Sequence, residues 1–247
     1  MSSRHHIQHH LMFSDLGAIK PGQVFEISGP EAHHAIRVKR VGTGHRVGLL
    51  DGCGRIGSGT VQGIKGPKTK PKMAIELLGV ELFEPSKPRL EVYSALPKGD
   101  RLDRMMDQLS QLGVQCFRPL LCERSQRKPE TVNIEKLERI AIEAAKQCHR
   151  PWLMEIGDPI AFADAIRDPD AIVADASGES QVADVDPERV VLLIGPEGGW
   201  SDDERGVIGA TGARVCRFGL FVLRIEAAAC SASAIVLSRA GGSANEQ

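Results

Sequence analysis

The sequence predicts an α/β fold, a parallel sheet covered by helices and preceded by a small β-barrel. Three observations carry this. From residue 90 onward, apolar strand-like runs alternate with helical patterns, as in a parallel sheet joined by crossover helices. Residues 190–194, Val-Val-Leu-Leu-Ile, form an unbroken apolar run that reads as a strand buried on both faces. Before residue 83, short runs are punctuated by glycines at 42, 44, 48, 52, 54, 57, 59, 63 and 66, the pattern of many short strands with tight turns.

In order, the first part contains strand candidates at residues 24–27, 46–50 and 73–78, with Asp51-Gly52 as a turn after the second. Residues 31–38 read as one helical turn that groups His33, His34, Arg37 and Arg40. Residues 84–88, Glu-Pro-Ser-Lys-Pro, read as a rigid polar linker, so two domains are expected, 1–82 and 83–247. Beyond the linker, residues 90–96 form a strand. Asp100 then caps a helix with Leu102, Met105, Met106, Leu109 and Leu112 on one face, which Gly113 ends. A strand at 114–121 precedes an amphipathic helix at 135–150, and further strands are expected at 171–174, 190–194 and 213–217. Ser201 and Glu204 have the spacing of a capping box, and an alanine-rich helix runs from about 225 to 239.

Hydrophobic residues make up 42% and charged residues 26% of the 247, ordinary for a globular protein. No run reaches membrane-spanning length and the N-terminus has no signal-like apolar core, so a cytoplasmic protein with no membrane partner is expected. The six cysteines include no CxxC pair, and four sit in apolar segments, which points to buried, reduced thiols. The net charge of −1 hides an asymmetry: residues 1–80 hold eleven Lys/Arg against five Asp/Glu, or +6, and the remainder carries −7. A basic first part fits a polyanion partner, with a solvated basic surface as the plainer reading. His5, His6, His9 and His10 lack a nearby carboxylate or cysteine, so no metal site is expected.

Three loops at the carboxyl ends of strands can carry chemistry: residues 122–125, 195–199 and 218–226. The second, Gly-Pro-Glu-Gly-Gly, lacks the lysine and Ser/Thr of a P-loop and the spacing of a dinucleotide fingerprint, so phosphate cradling is its weaker reading. The third places apolar residues beside a glycine and then Arg224 and Glu226 at a helix start. It suits a flat aromatic group bound by main chain, while a first-turn carboxylate is also explained by the helix dipole. Histidines are almost absent from the second domain, so no Ser-His or Cys-His nucleophile suggests itself.

Several segments resemble a known family. Residues 193–204, Leu-Ile-Gly-Pro-Glu-Gly-Gly-Trp-Ser-Asp-Asp-Glu, and the stretch from Phe218-Gly219 through Val222-Leu-Arg-Ile-Glu-Ala-Ala are similar to two signature segments of the SPOUT class of RNA methyltransferases. Residues 98–114, 119–125 and 140–150 resemble further motifs of its RsmE family, and His33-His34, Val38-Lys-Arg and Asp51-Gly52 resemble that family's PUA-like barrel. The chain departs from the usual L-G-x-R-I/V-L-R-T-E-T-A at Phe221, where a basic residue is common, and at Ile225 and Ala227, where threonines are; Leu220 falls at the position marked x.

The resemblance implies a trefoil-knotted SPOUT domain at 83–247 behind a PUA-like RNA-binding barrel at 1–82. It implies a homodimer that transfers methyl from S-adenosylmethionine to N3 of a uridine in 16S rRNA of the small ribosomal subunit. It places the cofactor on Leu193, Ile194, Gly195, Pro196, Glu197, Gly198, Gly199, Phe218, Gly219, Leu220, Val222, Leu223 and Arg224, and RNA on Arg37, Lys39, Arg40 and Arg124. Uracil N3 must lose a proton before it attacks. Glu226 or Glu197 is therefore the expected base and Arg224 the cation that steadies the uracil oxygens. Alternatives stay open: Glu226 as a helix cap, Glu197 as a loop-fixing acceptor, Arg124 as a partner of Glu123. Two further readings stay open: another SPOUT methyltransferase acting on tRNA or ribose 2′-OH, against which the extended barrel and the whole-chain match argue, and a non-catalytic RNA-binding relative, which the altered 220–227 loop keeps open.

Overall fold

The computed structural model describes residues 10–12, 15–179 and 188–243. Two compact units result: the chain up to Pro85 together with Ala145–Leu153, and Ser86–Ala144 together with the chain from Met154.

In the first unit, β1 (His10–Met12), β2 (Val24–Ile27), β3 (Arg46–Leu50), β4 (Arg55–Lys65) and β5 (Lys72–Leu82) form one sheet in the order β1-β3-β4-β5-β2. Every pairing is antiparallel except β1 with β3. Its core is built from Val47, Leu49, Val61, Met73, Ile75 and Leu77. The glycines that read as turns lie partly within β4. At Gly59 a Cβ would meet Ile75 Cγ2 at 2.5 Å, so β4 and β5 approach this closely only with glycine there. Asp51 makes the expected turn: its Oδ1 accepts from the amides of Cys53 (2.7 Å) and Arg55 (3.0 Å). The single helical turn expected near residue 31 is a nine-residue helix, α1 (Gly29–Arg37), with Ala32 and Ala35 buried. Lys146 joins this unit through a 2.8 Å pair with Glu31, which satisfies an almost buried ammonium.

The second unit contains β6 (Arg89–Ser94), α2 (Arg101–Leu112), β7 (Cys116–Leu121) and α3 (Ile134–Cys148), whose last turn groups with the first unit. It continues with β8 (Glu155–Ile156), β9 (Ile160–Ala161), α4 (Phe162–Ala165), β10 (Ala171–Glu179), β11 (Arg189–Ile194), α5 (Asp202–Thr211), β12 (Arg214–Cys216) and α6 (Ile225–Ser243). The sheet runs β12-β10-β11-β6-β7-β8, every pairing parallel, and β9 pairs with β7. Central β11 is buried from Val190 to Ile194, as its apolar run predicts. Helix α2 buries Leu102, Met105, Met106 and Leu109 and stops at Gly113 (φ 103°). At α5 the capping box is complete: Ser201 Oγ accepts from the Glu204 amide and Glu204 Oε2 accepts from the Ser201 amide. From edge strand β12 the chain returns across β10 to lay α6 on β11, β6 and α2, the return that a trefoil-knotted path requires.

Three cysteines, not four, are buried: Cys116, Cys122 and Cys216; Cys230 is half-buried, Cys53 and Cys148 are exposed, and none of the six is in a disulfide. Burial pushes the thiols of Cys116 and Cys230 up to about 11 and that of Cys122 to about 12, so none of the three is a thiolate near neutral pH. His5, His6 and His9 lie outside the described residues, as does the side chain of His10.

Candidate active site

The carboxyl edge of the parallel sheet carries a cavity of about 400 Å³, bounded by the ends of β10 and β11, the loop after β12 and the start of α6. Ile194, Gly195, Pro196, Glu197 and Gly199 line it from the loop after β11, and Phe218, Gly219, Val222, Leu223 and Arg224 from the loop after β12. Ten of the thirteen residues expected to hold the cofactor are thereby on one surface. The other three are elsewhere: Leu193 is fully buried in the core, Leu220 projects 86% exposed, and Gly198 lies outside the lining.

Local packing explains the glycines. Trp200 is buried beneath the loop, its ring tilted against Phe162 at 5.1 Å. A Cβ on Gly195 would meet Trp200 Cε2 at 2.9 Å, and Gly199 has φ +68°. The same loop is pinned from the side. Glu204, besides closing its capping box, accepts from the Glu123 amide at 2.9 Å. Arg124 donates to the carbonyls of Gly198 (3.4 Å) and Trp200 (3.1 Å) and lies 3.7 Å from Asp202. Arg124 thus holds the glycine loop and forms no pair with Glu123.

Two carboxylates stand close to one guanidinium. Arg101 Nη2 is 3.4 Å from Glu197 Oε1, and Nη1 is 3.7 Å from Glu226 Oε2. Glu197 faces the cavity, whereas Glu226 lies one residue beyond the lining residue Ile225. Glu226 Oε2 is buried and accepts no hydrogen bond among the described residues, so no side-chain cap is made there. Arg224 is exposed on the lining, its side chain without a charged or hydrogen-bonded partner among the described residues.

The strands contribute further residues that sequence reasoning missed. Asp175, midway along β10 and one residue past its last pairing with β11, lines the cavity beside Arg205. Burial opposes its ionisation, but hydrogen bonds from the Ser177 hydroxyl and amide and the nearby Arg205 guanidinium outweigh that and hold its carboxyl below the usual range. Arg217 and Phe221 also line the cavity. Arg101 is legible in hindsight, because Lys98-Gly99-Asp100-Arg101 falls at the carboxyl end of a strand and opens a helix. In the first unit, Arg37, Lys39 and Arg40 cluster at the end of α1 and the turn after it, all exposed and without ion-pair partners among the described residues.

Comparison with known proteins agrees with this architecture. The RNA methyltransferase domain family matches residues 84–237, and the RNA methyltransferase PUA domain family matches residues 27–70. The ribosomal RNA small subunit methyltransferase E of Helicobacter pylori is 31% identical over 189 residues, 74% of this chain and 81% of that protein. The protein of the same name from Synechocystis is 27% identical, covering 83% of this chain and 71% of its own length. A methyltransferase from Legionella pneumophila, solved in complex with the bound cofactor SAM, superposes with a TM-score of 0.81 at 27% identity, over 94% of this chain and 98% of that one. The chain belongs to the RNA methyltransferase family, and within it to the ribosomal RNA small subunit methyltransferases E.

Proposed function

We propose that this protein transfers a methyl group from S-adenosylmethionine to N3 of a uridine in 16S rRNA. The observation that carries the reading is the cavity at the carboxyl edge of β10, β11 and β12, with Arg224 on its lining and, two residues further along the chain, a Glu226 carboxylate oxygen that accepts no hydrogen bond among the described residues. Its volume lies in the range of small-molecule sites, about 300–1,000 Å³. Its walls fit the cofactor: Ile194, Phe218, Val222 and Leu223 offer apolar surface for a flat base, and the main chain at Gly195 and Gly199 is open to polar groups. Asp175 is an ionised acceptor suited to hydroxyl or ammonium donors.

Bound S-adenosylmethionine supplies a methyl group already activated on a sulfonium. The protein's part is to hold the acceptor and to move one proton. Glu197, which faces the cavity, sets a negative charge opposite a cationic ligand. Glu226, off the lining and short of a hydrogen bond, takes the proton from uracil N3, and Arg224 offsets the charge that then spreads to the uracil oxygens.

In the first unit, Arg37, Lys39 and Arg40 grip RNA phosphates. Arg124 steadies the glycine loop and has an exposed face for a further phosphate. The chain works as a homodimer in the cytoplasm. The apolar run Leu220, Phe221 and Val222, each more than 80% exposed, supports a covered state of this loop, and no helix among the described residues is long and apolar enough to cross a membrane.

The test is transfer itself, with purified protein, methyl-labelled donor and small ribosomal subunits. Label recovered in 3-methyluridine supports the proposal. Label on a ribose hydroxyl, on tRNA only, or on nothing despite measured donor binding contradicts it.

A further inference from the structure

We propose that Arg101 is the positioning residue of this site: one guanidinium gathers Glu197 and Glu226 and keeps the Glu226 carboxylate in place for proton transfer. The inference rests on the reading of Glu226 as the base given above, and the geometry supplies the rest. Arg101 is the first residue of α2, and the helix beneath it is fixed by buried Leu102 and Met105. Its Nε donates to the carbonyl of Lys98 at 3.2 Å, which sets the plane of the guanidinium. The two remaining nitrogens reach Glu197 Oε1 and Glu226 Oε2, 96 and 125 residues away in sequence. Three connections at the carboxyl edge, those after β6 and β11 and the one leading into α6, therefore meet at one side chain.

Among the described residues no other cation lies within ion-pair distance of either carboxylate. Two like charges within reach of one another repel unless a cation lies between them. A planar fork serves two acceptors at once while a third donor anchors it in a fixed plane, a geometry that an ammonium on a flexible stem does not impose. The contacts are unequal. Glu197 is at hydrogen-bonding distance, while Glu226 Oε2 at 3.7 Å is attracted without being capped. Arg101 thus restrains Glu226 and leaves its oxygen open to a proton.

A double-mutant cycle tests this: wild type, Arg101→Gln, Glu226→Gln and the double variant, with Arg101→Lys alongside. Readouts are kcat and KM for small-subunit RNA at saturating donor, the donor Kd by calorimetry, and the thermal midpoint. Arg101→Gln is expected to lower kcat about 10- to 100-fold, with KM and donor Kd within about threefold of wild type. Arg101→Lys should recover only part of the loss, and the double variant should be no slower than Glu226→Gln alone by more than about twofold. The proposal is overturned if the two losses multiply, if the Arg101→Gln loss lies wholly in KM or Kd, or if Arg101→Lys is as fast as wild type. The lysine result decides the matter even if the glutamine variant fails to fold. The two readings separate cleanly. A fully active Glu226→Gln removes the base assignment, whereas an impaired Glu226→Gln with multiplying losses removes only the role of Arg101.

Discussion

Among the described residues Glu226 Oε2 is buried without a hydrogen bond, a state that costs about 1–3 kcal/mol relative to a satisfied oxygen. Replacing Glu226 by Gln removes the charge that makes this costly. The expected outcome is a kcat about 10²–10⁴-fold lower with the thermal midpoint unchanged or raised, read by single-turnover kinetics and calorimetry. Gly195→Ala should act the other way. Its Cβ must displace Trp200 from 2.9 Å, so both the midpoint and the donor affinity should fall. A third prediction concerns Glu91, which accepts from Arg89 (2.9 Å), Arg189 (3.1 Å) and the Tyr93 hydroxyl (2.7 Å). Burial opposes its charge, but these bonds, that from Arg189 foremost, bring its carboxyl from 4.5 down to about 2. Because the folded value is the lower one, the stabilisation is complete above about pH 5 and is lost as pH falls through the folded value. Denaturant titrations should show Glu91→Gln less stable than wild type by roughly 3 kcal/mol at pH 7, and the gap should narrow between pH 5 and pH 2. A constant gap would remove the ion pairs as its cause. Residue identities picked out the loops that carry Glu197, Arg224 and Glu226, and the family resemblance gave the three their roles. Neither exposed Arg101 or Asp175, whose neighbours lie far away along the chain.

At the scale of elements, the glycine loop and the helix after it act together. The capping box at Ser201 and Glu204 was legible from spacing because its partners are three residues apart. The second duty of Glu204, accepting from the Glu123 amide, was not, since that bond ties the first turn of α5 to a loop 81 residues away. Ser201→Ala should therefore cost about 1 kcal/mol, whereas Glu204→Ala should cost more and also weaken donor binding, as the two segments lose their tie. Equal losses in the two variants would reduce Glu204 to an ordinary cap. Strands β6, β7, β11 and β12, the first half of β10 and helices α2 and α3 follow from apolar patterning, whereas α5 followed from its capping spacing and α6 from its alanine content. Strand β4 escaped because Gly57, Gly59 and Gly63 mimic turns, yet Gly59 at least is there for close strand approach. Strands β8 and β9, two residues each, are too short to show a period.

For the whole molecule, the sequence separates a basic part from an acidic one and expects a single boundary, at residue 82. Residues 145–153 belong with the first unit, a tertiary choice made by bonds such as Lys146 to Glu31 that no local pattern encodes. The return of α6 onto β11 and β6 was likewise invisible to periodicity and came only from the family resemblance. If the exposed cations of the first unit grip phosphates, the Arg37→Ala/Lys39→Ala/Arg40→Ala variant should bind small-subunit RNA more weakly with a salt slope smaller by about two to three, and donor affinity should not change. The central claim, methylation of a uridine N3, is tested most directly by mass mapping of 16S rRNA from cells lacking this gene and from the same cells carrying it. The account predicts one 3-methyluridine absent from the deletion, restored by the wild-type chain and not by the Glu226→Gln chain. An identical 3-methyluridine content in deletion and parent, or a missing methyl at a ribose instead, would contradict it.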